Sequence, residues 1–222
     1  MLYLYGITEG FEPPAVPGLR DAPLFAIRER GLAAIVSEHD ELELEADEDE
    51  LWAHEAVVEA LMQEGAVLPM RIGSVVADAQ AVRGLLRERA AGFWRTLESV
   101  RGAVELGVRA AATRPLASQA PAPVAPVPRG PGTTYMLARL SDKAREDEAA
   151  GRIHEALRPL ARRHTAPTSS VRRGAMRSAY LVDQDRVDAF AARVEELQHA
   201  LDGVSIACTG PWPPYSFTQE QA

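Results

Sequence analysis

Six prolines fall within the 17 residues from Pro115 to Pro131, at positions 115, 121, 123, 126, 128 and 131. Proline has no backbone N–H and fixes φ, so neither a helix interior nor a central strand passes through such a run. The run therefore reads as a long exposed loop or semi-rigid linker, with regular structure built on either side of it. At 222 residues the chain is long for one core and comfortable for two domains of about 100 residues each. Hydrophobic residues make up 46% and charged residues 25%, enough to bury real cores beneath a solvated surface.

Ahead of the proline run, Leu2 to Ile7 alternates aromatic and aliphatic residues and reads as a core strand. Leu24–Ile27 and Leu32–Val36 are apolar runs joined through Arg28-Glu29-Arg30-Gly31, which predicts a β-hairpin with Gly31 free to take a positive φ. Leu51 to Glu64 has helical spacing, with acids at its start where the helix dipole favours them, and Gly65 ends it. Ala66 to Met70 reads as a short strand with Pro69 at an edge. Asp78 is the expected N-cap of one helix carrying Val82, Leu86, Phe93 and Leu97. Residues 1–98 thus form an N-terminal α+β domain.

From Ser99 to Val108 the alternation of Val100, Val104, Leu106 and Val108 predicts a strand. A helix follows from about Thr133 to Arg163, kinked or ended by Pro159. Thr168–Arg173 and Ser178–Val182 read as a strand pair around Gly174. Asp183-Gln184-Asp185 is the expected cap of a helix with a Val187, Phe190, Ala191, Val194, Leu197, Leu201 stripe. Val204 to Cys208 is the last strand. Strand, helix, strand, strand, helix, strand is the ferredoxin-like βαββαβ order, expected for residues 99–222 with the 115–131 loop inserted and an aromatic strap at 210–217. The fold class is α+β.

Signatures of catalysis are missing. His54-Glu55-Ala56-Val57-Val58 starts like a zinc-protease helix but has Val58 in place of the second histidine, so His54 reads as a surface or half-buried residue. There is no phosphate loop, dinucleotide turn or nucleophile elbow, and no cofactor or metal site is implied. His39, His154, His164 and His199 lie on separate elements and read as exposed or satisfied residues. The only cysteine, Cys208, allows no intrachain disulfide and reads as a buried strand thiol.

No apolar stretch approaches the roughly 20 residues a membrane span needs, and no basic region precedes the apolar start, so the expectation is a cytoplasmic chain without membrane contact. Net charge is −8, concentrated in nine acids from Glu38 to Glu50 and offset by seven arginines between Gly151 and Tyr180. The acidic total and the lack of interleaved aromatics argue against nucleic-acid binding. The acidic run reads as a solvated face.

Two segments resemble the GvpF/GvpL family of accessory gas vesicle proteins. One is His54-Glu55-Ala56-Val57-Val58-Glu59-Ala60-Leu61 followed by Val67-Leu68-Pro69-Met70-Arg71-Ile72-Gly73-Ser74, with Ile72 and Ser74 as conservative departures from the family's Leu-Pro-Met-Arg-Phe-Gly-Thr. The other is the ending Gly210-Pro211-Trp212-Pro213-Pro214-Tyr215-Ser216-Phe217, which matches the family pattern throughout. The opening Tyr3-Leu4-Tyr5-Gly6-Ile7 is similar too.

The resemblance implies a non-enzymatic role in vesicle assembly. Its partners would be the major gas vesicle shell protein (GvpA type) and other accessory gas vesicle proteins. Candidate partner-binding or interdomain residues are Pro69, Met70, Arg71, Ile72, Trp212, Tyr215 and Phe217. A small-molecule-binding regulatory protein with a ferredoxin-like domain is the alternative.

Overall fold

The hairpin turn sets the first sheet. Arg30 (φ 52°) and Gly31 (φ 78°) both take positive φ, as a two-residue turn matched to the strand twist requires. This brings β2 (Phe25–Glu29) onto β3 (Leu32–Glu38), with Glu29 opposite Leu32. β3 pairs in turn with β1 (Leu2–Thr8), which carries an irregularity between Leu4 and Gly6. Along the other side of β1 lie β4 (Val67–Pro69), opposite Gly6–Thr8, and β5 (Val75–Val76), opposite Leu2–Tyr3. Pro69 thus occupies an outer strand, as its missing N–H requires. Gly6 is needed where β4 crosses it: a Cβ there would sit 2.9 Å from Val67 Cγ2.

The computed structural model describes residues 1–40, 48–113, 147–170 and 175–218. The proline run 115–131, residues 41–47 of the acidic run, the start of the helix expected from Thr133 as far as residue 146, and residues 171–174 with Gly174 lie outside the described residues.

β1 is buried along its whole length, which demands cover on both faces of the sheet. Helix α1 (Glu48–Glu64) supplies one layer, packing Val57, Val58 and Leu61 on Tyr3, Tyr5, Ile35 and Val67. The segment expected as a second long helix is two. α2 (Ala79–Glu88), capped by Asp78 accepting from Ala81 N–H at 2.8 Å, ends where Arg89 leaves helical geometry (φ −105°, ψ 11°). α3 (Ala90–Val100) then continues in a new direction. The break lets α2 pack on β2 and β3 while α3 reaches β4.

α3 also overturns the strand expected from Ser99. Ser99 Oγ donates to Thr96 O inside the helix, Val100 is buried by it, and Gly102 (φ 64°) makes the turn, so β6 begins at Ala103 and runs to Ala112. Alternating Val100 with Val104 mimicked a strand because both are buried, by different elements.

In the second sheet the strand order is β10-β6-β9-β7, with β8 also pairing β9. Helix α4, described over residues 147–157, stops before Pro159, which sits inside a 3-10 turn at Arg158–Leu160. The expected helix to Arg163 is therefore too long, and Arg163–His164 forms β7. β8 (Thr168–Ser170) and β9 (Ala175–Asp183) follow, both antiparallel where they pair. Asp183 forms an ion pair with Arg162 instead of capping; a 3-10 turn at Gln184–Arg186 leads into α5 (Val187–Ala200). Phe190, Val194, Leu197 and Leu201 are buried against Tyr180 and Val182, while Ala191 is exposed. β10 (Val204–Trp212) is four residues longer than expected, and Cys208 on it is exposed, not buried.

Both sheets with their helices give an α+β chain of two compact units. The first is Met1–Glu105 together with Trp212–Ala222; the second is Leu106–Pro211. The first unit is thus discontinuous in sequence, a feature absent from the 1–98 and 99–222 division.

Candidate functional site

The end of β4 and the turn to β5 hold four of the candidate residues. Pro69 is buried and Met70 partly so, whereas Arg71 and Ile72 are exposed. Arg71 makes no ion pair with a described residue; its backbone carbonyl anchors the turn by accepting from Ser74 N–H at 3.1 Å and Ser74 Oγ at 2.7 Å. Met70 N–H donates to Tyr5 O at 2.8 Å and Leu4 N–H to Ser74 O at 2.9 Å, so β1 grips the turn at both ends.

Beneath the turn lies a buried polar network that the sequence reading missed. His54 is fully buried on α1, correcting its expected surface or half-buried position. Its Nε2 is 3.0 Å from Met70 O, and a carbonyl accepts only, so Nε2 carries the proton. Nδ1 is then the acceptor for the Tyr3 hydroxyl at 2.9 Å, and that same hydroxyl accepts from Gly73 N–H at 3.3 Å. The neutral ring is fully satisfied. Burial holds the His54 pKa below its ordinary value, partly offset by the Met70 carbonyl. Burial likewise pushes Tyr3 up to about 12, which keeps its donor proton.

Tyr5 stacks on the His54 ring with centroids 5.6 Å apart, and its hydroxyl extends the network. It accepts from Leu19 N–H at 2.6 Å and bonds Ser37 Oγ at 2.8 Å, which reaches His39 Nε2 at 2.8 Å. Leu19 plugs the same core, drawing the Gly10–Pro23 loop against β1. The signal available in sequence was the Tyr3-Leu4-Tyr5 spacing, which puts both phenols on one face. Nothing in the sequence marked His54 as their partner.

The strap supplies the other three candidates, and they differ. Trp212 is 41% exposed, Tyr215 is half-buried and Phe217 is buried. Tyr215 packs on the α1 core and donates to Glu55 Oε1 at 2.9 Å. Ser216 donates through both its N–H and Oγ to the Glu105 carboxylate, each at 2.7 Å. Burial raises the pKa of Glu55 and of Glu105; the Tyr215 and Ser216 hydrogen bonds act in the opposite sense. Tyr215 is pushed far up by burial and by Glu55. From Trp212 onward the strap is thus part of the first unit, while Trp212 contributes less to packing than its size suggested.

Electrostatics near α1 modify another expectation. Glu50, at the end of the acidic run, is buried and bonded by Arg20 Nη2 at 2.7 Å and Nε at 3.1 Å, so it is structural and not a solvated charge. Among the described residues no group of three or more His, Cys, Asp or Glu side chains is placed to hold a metal ion, and no helix is long and apolar enough to cross a membrane.

Fold and site together define a two-sheet α+β protein whose buried polar groups hold a surface turn and a terminal strap against one helix. The family model described as "Gas vesicle synthesis protein GvpL/GvpF" matches residues 1–219, and the chain belongs to that family. It is 31% identical to gas vesicle protein L of Streptomyces sp. (strain CB03234), over 97% of this chain and 91% of the relative. It is 30% identical to gas vesicle protein F2 of Halobacterium salinarum, over the same shares of each chain. The crystal structure of GvpF from Anabaena sp. PCC7120 shares the fold, with a TM-score of 0.85 at 23% identity covering 100% of this chain and 97% of that one. GvpF from Microcystis aeruginosa superposes with a TM-score of 0.79 at 21% identity, covering 98% of each. Membership gives the chain a role in gas vesicle formation.

Proposed function

We propose that the chain is a non-enzymatic assembly factor acting at gas vesicles in the cytoplasm, and that it binds the GvpA-type shell protein and other accessory gas vesicle proteins. The first unit carries the shell-protein contact. One observation supports this assignment. Every large hydrophobic side chain exposed among the described residues belongs to that unit: Met1, Leu51, Trp52, Ile72, Val75, Trp94 and Trp212. Neighbouring exposed apolar side chains mark sites where another chain binds, and Ile72 and Val75 lie three residues apart beside one turn. A shell protein that polymerises through apolar surfaces needs such cover before it assembles.

In this reading Ile72 in the β4–β5 turn and Val75 beside it meet the partner, while His54, Tyr3 and the strap keep that turn and α1 in place. The second unit is assigned the ferredoxin-like βαββαβ arrangement. Its order β10-β6-β9-β7, with α4 and α5 as the two crossovers, supports that topology.

The test uses the full-length chain, because a cut between residues 98 and 99 severs Tyr215 from Glu55. Ile72→Glu and Trp52→Glu are each co-expressed with shell protein, beside Arg177→Glu in the second unit as a control. Both first-unit variants should lose co-purifying shell protein with the melting temperature within about 2 °C of wild type, as exposed substitutions allow. Undiminished capture by both would sink the assignment.

A further inference from the structure

An edge strand presents unpaired N–H and C=O groups, and proteins blunt such rows with charge, proline or brevity. β2, at an edge of the first sheet, carries Arg28 and Glu29, while β4 and β5 are only three and two residues long. β7, at an edge of the second sheet, is Arg163–His164. β10 is different. It is the other edge of the second sheet, nine residues long, without one charged side chain, and exposed from Ala207 to Trp212.

Three hydrogen bonds show which of its backbone groups face outward. Gly203 O accepts from Thr113 N–H at 2.9 Å, which turns the odd-numbered positions toward β6. The side chain of Gln198 on α5 takes the opposite set: Nε2 donates to Val204 O at 2.9 Å, and Oε1 accepts from Ile206 N–H at 2.6 Å. Backbone groups alternate between the two sides of a strand. Ile206 O, Cys208 N–H, Cys208 O and Gly210 N–H therefore point away from β6, the only described strand beside β10. Gly210, at φ 115°, closes the window.

We propose that this window pairs with the same window of a second copy, antiparallel and centred on Cys208. Each Cys208 N–H then meets the partner's Cys208 O, and each Gly210 N–H meets the partner's Ile206 O. These four hydrogen bonds use all the outward groups just named. The Ile206 N–H, which would otherwise seek the partner's Gly210 O, is already held by Gln198. Centring the pair on Cys208 sets that residue opposite itself and brings the remaining positions close to their own copies diagonally, so charge on the strand would repel; β10 has none. A two-fold contact of this kind closes on itself and gives a dimer. The contact lies in the second unit, so its failure leaves the shell-protein reading of the first unit standing.

Sedimentation equilibrium of the full-length chain tests it, with a short bis-maleimide as a probe of Cys208, the chain's sole cysteine. Wild type and Cys208→Ser should both form dimers, and the reagent should give a covalent dimer from wild type alone. Cys208→Lys sets two ammonium groups opposite each other and should raise the dimer dissociation constant at least about tenfold. If that variant melts early, Ala207→Glu at an exposed neighbour sets two carboxylates diagonally across the pair and should weaken the dimer in the same direction. A monomeric wild type overturns the proposal, as does a dimer that both variants leave intact. Hydrogen-exchange protection of residues 206–210 that appears only with shell protein would overturn it too, assigning the edge to a different strand.

Discussion

Each unit of the molecule sets a helix histidine against a strand tyrosine, through nearly the same bond. His54 Nδ1 lies 2.9 Å from the Tyr3 hydroxyl, and His154 Nδ1 lies 3.0 Å from the Tyr180 hydroxyl. They differ in the rest of the ring. His54 is fully buried and spends its second nitrogen on Met70 O. His154 is only partly buried and lies edge-on to the exposed His164, ring centroids 4.5 Å apart. A hydrogen bond is worth what its loss leaves unsatisfied, so matched geometry here conceals unequal consequences. The first pair locks a turn; in the second, Tyr180 is buried but His154 is reached by water, which can replace part of what is lost.

The sharpest way to break this comparison is to remove both rings. His54→Ala should cost about 3 kcal/mol, from the vacated volume and from leaving Met70 O and the Tyr3 hydroxyl unpaired. That corresponds to a fall in melting temperature of about 6 to 12 °C for a chain of this size. His154→Ala should cost about 1 kcal/mol. Equal losses in thermal unfolding would show that the two sites are not energetically distinct.

Removing only the hydroxyls isolates the bond from the packing. Tyr3→Phe leaves His54 Nδ1 and Gly73 N–H without their partner and should cost about 2 kcal/mol. Tyr180→Phe should cost about 1 kcal/mol or less, since His154 is open to solvent. Denaturant titrations of the two variants at equal m-value would check the ranking.

The smallest effect is that of pH. Burial lowers the pKa of both histidines, and His164 adds repulsion at His154. The unfolded chain then binds the proton more readily than the native one. Their stabilisation is complete above the unfolded value of about 6.5 and is lost as pH falls through the depressed native values. Raised pKa values at Glu55 and Glu105 act oppositely: their contribution is present below about 4.5 and fades as pH rises through the native values. The His54→Gln variant should therefore show a shallower loss of stability than wild type on acidification from pH 7. His154→Gln should change the slope less. A steeper slope in His54→Gln would contradict the buried-neutral assignment.

Local features were legible because they are local. The Arg30-Gly31 turn, the Asp78 cap, the stop at Pro159 and the Phe190, Val194, Leu197 stripe each depend on a few adjacent residues with fixed steric preferences. The family-like strings could be read as well, since they are contiguous. Sequence reading failed where two elements compete for one pattern. Val100 is apolar in either setting, and only the packing of α3 decides that it closes a helix. Asp183 is a good cap by type, yet Arg162 is close enough in space to claim it.

The sequence by itself determined the α+β class, the hairpin, most helix and strand positions, and the family to which the chain belongs, because periodicity, turn residues and contiguous motifs survive without contacts. Only the tertiary structure decided that His54 lies in the core, that Trp212 is exposed while Phe217 is buried, and that residues 212–218 return to the first unit. Those outcomes join residues as far apart as Tyr215 and Glu55, or Ser216 and Glu105. Burial is a property of what surrounds a side chain, and for these residues the surroundings come from the far end of the chain.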